Sequence, residues 1–525
     1  MEKITALIEK RFKVIVCLFF VVYFLVGLTV FKDYGVSCDE SLSRTRGILA
    51  FNYVFKHDKA LLSYVYRYHG TAFEILLAAI EKTLNMTENI RTVYFMRHLA
   101  TFLLFFTGVI FFYFLCKYRF QSWKVGLLGS LFLILSPRIF AHSFYNPKDI
   151  PFTAVFIISI YTLIGYLNKK TLSGAALHAG ACAVLFNIRL AGIIVPLFTA
   201  SFIIADLSIA RRTMRRRIIG NFSAYLILLT FLIVLLWPVL WEGPLSHFKD
   251  ILRLMQCYNW TGDVLYFGNY IHNTELPWHY IPVWIAISTP LLYTILFFIG
   301  SSFSISALLK NRTEFYIKRR DDLIFLMWFF LPLAAVIMPR SGLYDAWRHL
   351  FFIYPALLIF SLIGLTLIVE FIKPRLRGLR YTAFKVILIL ITVSSLLNAA
   401  IFMIRYHPYQ NLFFNVLAGR DMEAVKDSFE LDYWGLSYRK ALEHILKNDK
   451  KDTIKIYPRN LPVENNLLML PLKDKERVVL VEDPKKAGYF LTNYRWHKSE
   501  YPFKDEHYTV KIGDTKIIAV YKLSR

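Results

Sequence analysis

Near the start of the chain, Val14-Ile15-Val16-Cys17-Leu18-Phe19-Phe20-Val21-Val22-Tyr23-Phe24-Leu25-Val26-Gly27-Leu28-Thr29-Val30-Phe31 runs without a charge. About 20 largely apolar residues are what a helix needs to cross the hydrocarbon of a bilayer. The run is too long for a cleaved signal peptide, and no small-x-small cleavage site follows it. Ten further runs repeat the pattern: Leu99–Cys116, Val125–Pro137, Ile150–Leu167, Thr171–Ile188, Leu190–Ala205, Phe222–Trp241, Ile281–Leu309, Leu323–Pro339, Leu350–Val369 and Val386–Met403. Composition agrees across all 525 residues. Hydrophobic residues make up 56% and charged residues 19%, below the quarter that a soluble surface requires. The expected fold is a polytopic α-helical membrane protein of about eleven spans. A soluble enzyme, a disordered chain and a disulfide scaffold are excluded.

Lys and Arg outnumber Asp and Glu by 62 to 37. In a soluble protein such an excess points to nucleic acid. Here the bases crowd into alternate short connections, as the positive-inside rule requires, so no nucleic-acid partner is expected. Lys3, Lys10, Arg11 and Lys13 precede the first run. Lys117/Arg119/Lys124, Lys169/Lys170, Arg211–Arg217, Lys310–Arg320 and Lys373–Lys385 mark every second connection. The intervening ones are poorer: Arg138/Lys148, Arg189 and Arg340/Arg348. This asymmetry predicts a cytoplasmic N-terminus and a C-terminus outside. The membrane part spans 1–405, with outside loops at 32–97, 138–149 and Glu242–Tyr280.

The remainder, 406–525, is far more charged and reads as a small outside α/β domain. Tyr438–Lys447 has a helical pattern. Thr453–Tyr457, Val478–Val481, Tyr489–Thr492, His507–Ile512 and Lys516–Tyr521 read as strands from their β-branched and aromatic content. The five cysteines (Cys17, Cys38, Cys116, Cys182, Cys257) show no metal spacing. No Gly-rich nucleotide loop or nucleophile elbow is present.

Charges at membrane depth are costly and usually functional. Just past the first run stands Gly35-Val36-Ser37-Cys38-Asp39-Glu40. One carboxylate of this pair has the chemistry of a general base for an incoming hydroxyl. Its neighbour would raise the first pKa or hold a divalent cation. The plainer reading makes Asp39 a helix cap and Glu40 first-turn charge. The second loop, Ser136-Pro137-Arg138-Ile139-Phe140-Ala141-His142-Ser143-Phe144-Tyr145-Asn146-Pro147-Lys148-Asp149-Ile150-Pro151, gathers Arg138, His142, Lys148 and Asp149 at the same depth. An N-cap role for Asp149 is compatible with a catalytic one. Arg189 interrupts two apolar runs, either as a ligand or as a turn residue. In Tyr344-Asp345-Ala346-Trp347-Arg348-His349, Arg348 offers a bidentate fork for phosphate, or else snorkels beside aromatic anchors. His69 and Glu74 read as structural.

The ordered set resembles the GT-C glycosyltransferases, and within them the protein O-mannosyltransferase and aminoarabinose-transferase-like branch (glycosyltransferase family 39-like). The Asp-Glu pair, Ser136–Pro151, Leu276-Pro277-Trp278-His279-Tyr280 with Thr289-Pro290, Tyr344–Pro355, His407-Pro408-Tyr409 and Asp432-Tyr433-Trp434-Gly435 carry the likeness. The C-terminal part does not resemble the β-trefoil modules of the eukaryotic protein mannosyltransferases. That departure favours a bacterial inner-membrane enzyme using undecaprenyl phosphate.

The resemblance implies an inverting transfer of a sugar from a polyprenyl-phosphate-linked donor to a hydroxyl acceptor (glycolipid, surface glycan or protein). Asp39 would be the base, and Glu40 and Asp149 would assist. Asp39 and Asp149 are the ligands of any divalent cation, Mg²⁺ or Mn²⁺. Arg138, Lys148, Arg189 and Arg348 would hold the lipid phosphate, with His142, Tyr145 and His349 completing the donor contacts. The competing classes are a lipid or solute transporter, a membrane scaffold, and an O-antigen ligase or polymerase. A transporter should show inverted repeats and midplane charge. Here the ionisable residues gather at one face.

Overall fold

The computed structural model describes residues 11–257, 260–339, 342–460 and 462–523. Lys3, Lys10, Arg340, Arg525 and the side chain of Cys257 lie outside the described residues. The helices that matter are α1 (Phe12–Val30), α2 (Cys38–Lys56), α3 (Ala72–Thr83), α4 (Ile90–Phe120), α5 (Trp123–Ile134), α6 (Pro137–Tyr145), α7 (Asp149–Lys169) and α8 (Leu172–Ile188). After them come α9 (Ile194–Ile209), α10 (Arg212–Leu236), α11 (Pro244–Cys257), α12 (Tyr280–Ser288), α13 (Leu291–Lys310), α14 (Arg312–Ile337), α15 (Tyr354–Ile372), α16 (Gly378–Arg405) and α17 (Tyr438–Asn448).

The chain is a polytopic helical membrane protein. Among the described residues eight helical segments are long and apolar enough to cross a bilayer, or nine if the bent α5–α6 pair counts as one. Apolar α8 is shorter, and α14 has its apolar part confined to its second half after a kink at Arg319. The expected single span Ile281–Leu309 is two helices, because Pro290 breaks it between α12 and α13.

Burial separates the helices into two shells. In α7, 83% of the apolar window is buried, against 17% in α1 and in α10. A helix that is apolar all round yet exposed all round must face lipid. Val21, Val22 and Leu25 of α1 and Ile227 and Phe231 of α10 are such residues. At the centre α13 and α15 touch backbone to backbone. A Cβ on Gly300 would lie 2.0 Å from the carbonyl oxygen of Phe360, and one on Gly364 would lie 2.1 Å from that of Leu296. Small residues permit this approach where no hydrophobic force drives helices together.

Two expectations about loops change. Residues 138–145 form a helix, α6, bent by 69° from α5 and buried along its whole length. Pro137 at its first position starts it without costing a hydrogen bond, and the break turns the chain across the bundle end. The connection 32–97 holds α2 and α3, and its last turns, from Ile90, are already α4.

Beyond α16 the chain builds a five-stranded sheet from β3 (Ile454–Pro458), β4 (Val478–Leu480), β5 (Tyr489–Thr492), β6 (Glu506–Ile512) and β7 (Thr515–Lys522), in the order β4-β3-β5-β7-β6. A separate hairpin, β1 (Asp263–Tyr266) with β2 (Asn269–His272), precedes α12. β3 pairs in parallel with β4 and β5, while β7 runs antiparallel to β5 and β6. α17 packs Leu442 and Ile445 onto Ile456, Leu491 and Val520. Trp434 and Leu436, ahead of α17, belong instead to the core of the helical bundle.

Candidate functional site

One end of the bundle brings together Glu40, Asp149, Asp345 and Arg348, all buried. Ser37 precedes α2, and its backbone N–H and hydroxyl both donate to Glu40 Oε2, at 2.7 and 3.1 Å. This capping box fixes the start of the helix. Glu40 Oε1 meets His98 Nε2 at 2.9 Å, and the residue is 1% exposed. The two members of the Asp-Glu pair therefore diverge. Glu40 is consumed in anchoring α2 on α4, whereas the Asp39 side chain stays 37% exposed.

Asp39 meets Arg348, whose Nη1 stands 3.3 Å from Asp39 Oδ2 and 3.2 Å from Asp149 Oδ2. Arg348 also reaches Asp345 Oδ2 through Nη2 and Nε, each at 3.3 Å. One guanidinium thus ties three aspartates, from α2, from α7 and from the turn before α15. Its guanidinium carbon lies 5.0 Å from the ring centroids of Trp434 and of Tyr344. Lys could not reproduce this, having neither the fork nor the plane. Asp149 is clamped further by Arg189 and by Asn146 Nδ2 at 3.0 Å. Asn146 also accepts from the Asp149 backbone N–H at 2.8 Å.

Asp345 has two more partners. Trp434 Nε1 donates to its Oδ2 at 3.0 Å, and Arg495 Nη2 donates to its Oδ1 at 2.8 Å. Both come from the C-terminal region. Asp345 and Ala346 have φ of 56° and 61°, and Tyr494 and Trp496, on either side of Arg495, both have φ of 59°. The left-handed region is costly for residues with a Cβ. Such strain persists where surrounding contacts over-determine it, and here both strained turns deliver one charge into the same salt bridge.

Burial raises the Asp39 carboxyl above the usual carboxylate range. Arg348 opposes the rise, while Asp345 and Asp149 add to it. Glu430, buried behind Arg495, is pushed up to about 7, first by burial. Burial lowers Lys148 to about 8, against the pull of Glu74.

The expected site residues are only partly brought together. Asp39, Asp149, Arg189 and Arg348 form the centre. His142 joins it through Asn146 Nδ2 (3.1 Å) and also contacts the Tyr433 hydroxyl at 3.3 Å. Tyr145 is an aromatic wall, 5.7 Å from Trp434. His349 packs edge-on against Tyr344. Lys148 points away, to the Gly70 carbonyl at 2.8 Å and Glu74 at 3.2 Å. Arg138 is 2% exposed, 5.5 Å from the Trp284 ring and 5.2 Å from that of Phe414. No described residue gives its guanidinium a well-formed hydrogen bond. Glu74, read as structural, is fully buried between Arg46 (2.8 Å) and Lys148. Burial disfavours its charge, but Lys148 and Arg46 outweigh that and hold it below the usual range.

A divalent cation on Asp39 and Asp149 does not fit this arrangement. The space between the two carboxylates is taken by Arg348 Nη1. Among the described residues no group of three or more His, Cys, Asp or Glu side chains converges as metal ligands would.

Asp345, Trp434, Asn146 and Arg495 are the members that carried no assigned role in the sequence. Asp345 had a usable signal, since it stands three residues before Arg348 beside an apolar run. Arg495 had none. Neither a scan against protein-family models nor a search of curated proteins gives a match.

Proposed function

We propose that the protein is an inverting glycosyltransferase that moves a sugar from a polyprenyl-phosphate donor to a hydroxyl acceptor. The observation that carries this reading is the unequal treatment of the carboxylates. Asp149 and Asp345 are buried and each bound by three side chains, whereas Asp39 is half open and holds a single long ion pair to Arg348. A base must be reachable by the proton it takes.

In the proposed reaction the acceptor oxygen attacks the anomeric carbon from the face opposite the phosphate. The carbon–oxygen bond to phosphate breaks, its electron pair leaves with the polyprenyl phosphate, and the hydroxyl proton passes to Asp39. Phosphate entering beside the exposed Asp39 would compete for Arg348 and displace Asp39 from its ion pair. Losing that cation raises the affinity of Asp39 for a proton at the moment the hydroxyl must give one up. Arg348 and Arg189 then face the departing phosphate, an electrostatic contribution that is usually large.

The same reading includes eleven spans, a cytoplasmic N-terminus and an outside C-terminal region in a bacterial inner membrane. The alternating basic connections support it. Topology reporters fused after Arg217 and Arg320 should read cytoplasmic, and one at the C-terminus periplasmic.

The direct test reconstitutes purified protein in lipid with synthetic polyprenyl-phosphate sugars. Alongside it, glycolipids, surface glycans and glycoproteins of a deletion strain are compared with those of the parent by mass spectrometry. Loss of one glycoform, restored by the parent gene but not by Asp39→Asn, is the expected result. Unchanged glycans together with altered solute or lipid translocation would overturn the reading in favour of a transporter.

A further inference from the structure

The opposite end of the bundle contains a cleft of about 820 Å³. α7 starts at the Asp39 site and ends at this cleft, so its 21 residues separate the two by roughly 30 Å at 1.5 Å per residue. The cleft lies where the α4–α5 connection, the ends of α7, α9 and α15 and the first half of α14 meet. The kink at Arg319 falls in its wall.

Part of its charge is locked internally. Arg119 grips Asp322 with two nitrogens, Nη2 at 2.7 Å and Nε on the other oxygen. Asp206 accepts from the Tyr316 hydroxyl at 2.7 Å and pairs with Lys170 at 2.9 Å and Arg320 at 3.7 Å. The remainder faces the opening. Arg319 is exposed, with its guanidinium 5.2 Å from the Phe303 ring, whereas the neighbouring Lys318 pairs with Glu314 at 2.7 Å. Arg320 lies behind Arg319, its terminal nitrogens turned to Asn168 and Asp206 and its Nε buried. Asp321 and Glu370 line the same space. Around this polar floor stand apolar side chains. Ile209 and Ile317 are each 69% exposed at the mouth, and Ile363 and Leu367 lie on α15.

A purely anionic ligand would find cations here but would also meet Asp321 and Glu370. A purely cationic one would meet Arg319 and Arg320. An apolar one would leave the charges bare. We propose that this cleft binds a headgroup carrying both a phosphate and a primary ammonium, with its alkyl chains against the exposed isoleucines. The phosphate takes the exposed Arg319 as its charge-assisted donor, with the positive charge of Arg320 behind it. The ammonium donates its N–H groups to Asp321 and Glu370. A basic pocket between helix ends at the membrane surface is a setting in which lipid headgroups bind. The acids here select within that class against headgroups lacking N–H donors.

The test uses the full-length protein, delipidated in detergent and titrated by native mass spectrometry with short-chain phosphatidylethanolamine, phosphatidylglycerol and phosphatidylcholine. The ethanolamine lipid should add one molecule at severalfold lower concentration than either of the others. Arg319→Ala, at an exposed position that folding tolerates, should weaken that addition about tenfold, the scale of one charge-assisted hydrogen bond. Asp321→Asn combined with Glu370→Gln should turn the preference toward phosphatidylglycerol. Soluble phosphoethanolamine serves as competitor. If it fails to displace the lipid, a membrane source is supported. If it displaces the lipid at equal concentration, the same headgroup chemistry is supported with a water-soluble source. Equal addition of all three lipids, or addition unaffected by Arg319→Ala and by the double variant, overturns the proposal. The outcome is independent of whether the Asp39 end transfers a sugar.

Discussion

Asp39 and Glu40 are adjacent, yet the fold gives them different tasks, and substitution should separate them. Asp39→Asn keeps the shape and removes the proposed base. Single-turnover transfer from saturating donor should fall by about 10²–10⁴-fold, the usual contribution of general base catalysis. Near-parental transfer would return Asp39 to a helix-start role. Glu40→Gln should leave transfer within a few-fold and lower stability by about 1 kcal/mol, the scale of a lost cap, read as a reduced midpoint of thermal unfolding in detergent. The pH profile supplies a second check on Asp39. Its carboxyl sits above the ordinary range, chiefly through burial, with Arg348 holding it down. A base works only when deprotonated, so kcat/KM should rise with pH along an acid limb displaced upward from that of an ordinary aspartate. Arg348→Gln removes the opposing cation and should move the limb of the residual activity higher still. An acid limb that stays in place in Arg348→Gln would mean that another group titrates.

Among elements, the peripheral helices and the C-terminal strands were legible because their signals are local. Uncharged runs mark the first, and β-branched and aromatic clusters mark the second. Strands β3 to β7 and helix α17 fall within a few residues of their sequence readings. Helix α6 was not legible as a helix. Arg138, His142 and the flanking prolines resemble a polar loop, and only the elements packed on every side make a nine-residue helix at that place. The close crossing of α13 and α15 was equally silent, since isolated glycines in apolar runs are common. It is nevertheless where substitution should hurt most. Gly364→Leu drives a side chain into the Leu296 carbonyl. It should cost roughly 1–3 kcal/mol, as overpacking does, or prevent recovery of monodisperse protein. Gly165 on α7 is the control, because a Cβ there meets nothing within 4 Å. Gly165→Ala should leave the unfolding midpoint unchanged or raise it, as alanine is the better helix former. Equal behaviour of the two variants in thermal unfolding would contradict the packing described.

Across the whole molecule, the site is assembled by residues that the sequence holds far apart. Asp39, Asp149 and Arg348 betrayed themselves as charges at the edges of apolar runs. Arg495 lies 150 positions from its partner Asp345, in a charged segment where one more arginine attracts no notice. Through Asp345 it bears on Arg348, and through Arg348 on Asp39 and Asp149. On the proposed function Arg495 is a positioning residue, and the C-terminal region should be required for transfer even though its sheet stands outside the bundle. Arg495→Gln should slow single-turnover transfer about tenfold, within the range of coupling energies measured for groups in one ion-pair network. Arg495→Lys should restore part of the rate by returning the charge. Asp345→Asn should also slow transfer, since it frees Arg348 from the same chain. The decisive quantity is the double variant. If Arg495 works through Asp345, combining the two changes should cost little more than the worse of them alone. Fully additive losses would mean that Arg495 touches substrate by an independent route. A parental rate in Arg495→Gln would mean that the C-terminal region merely rests on the bundle.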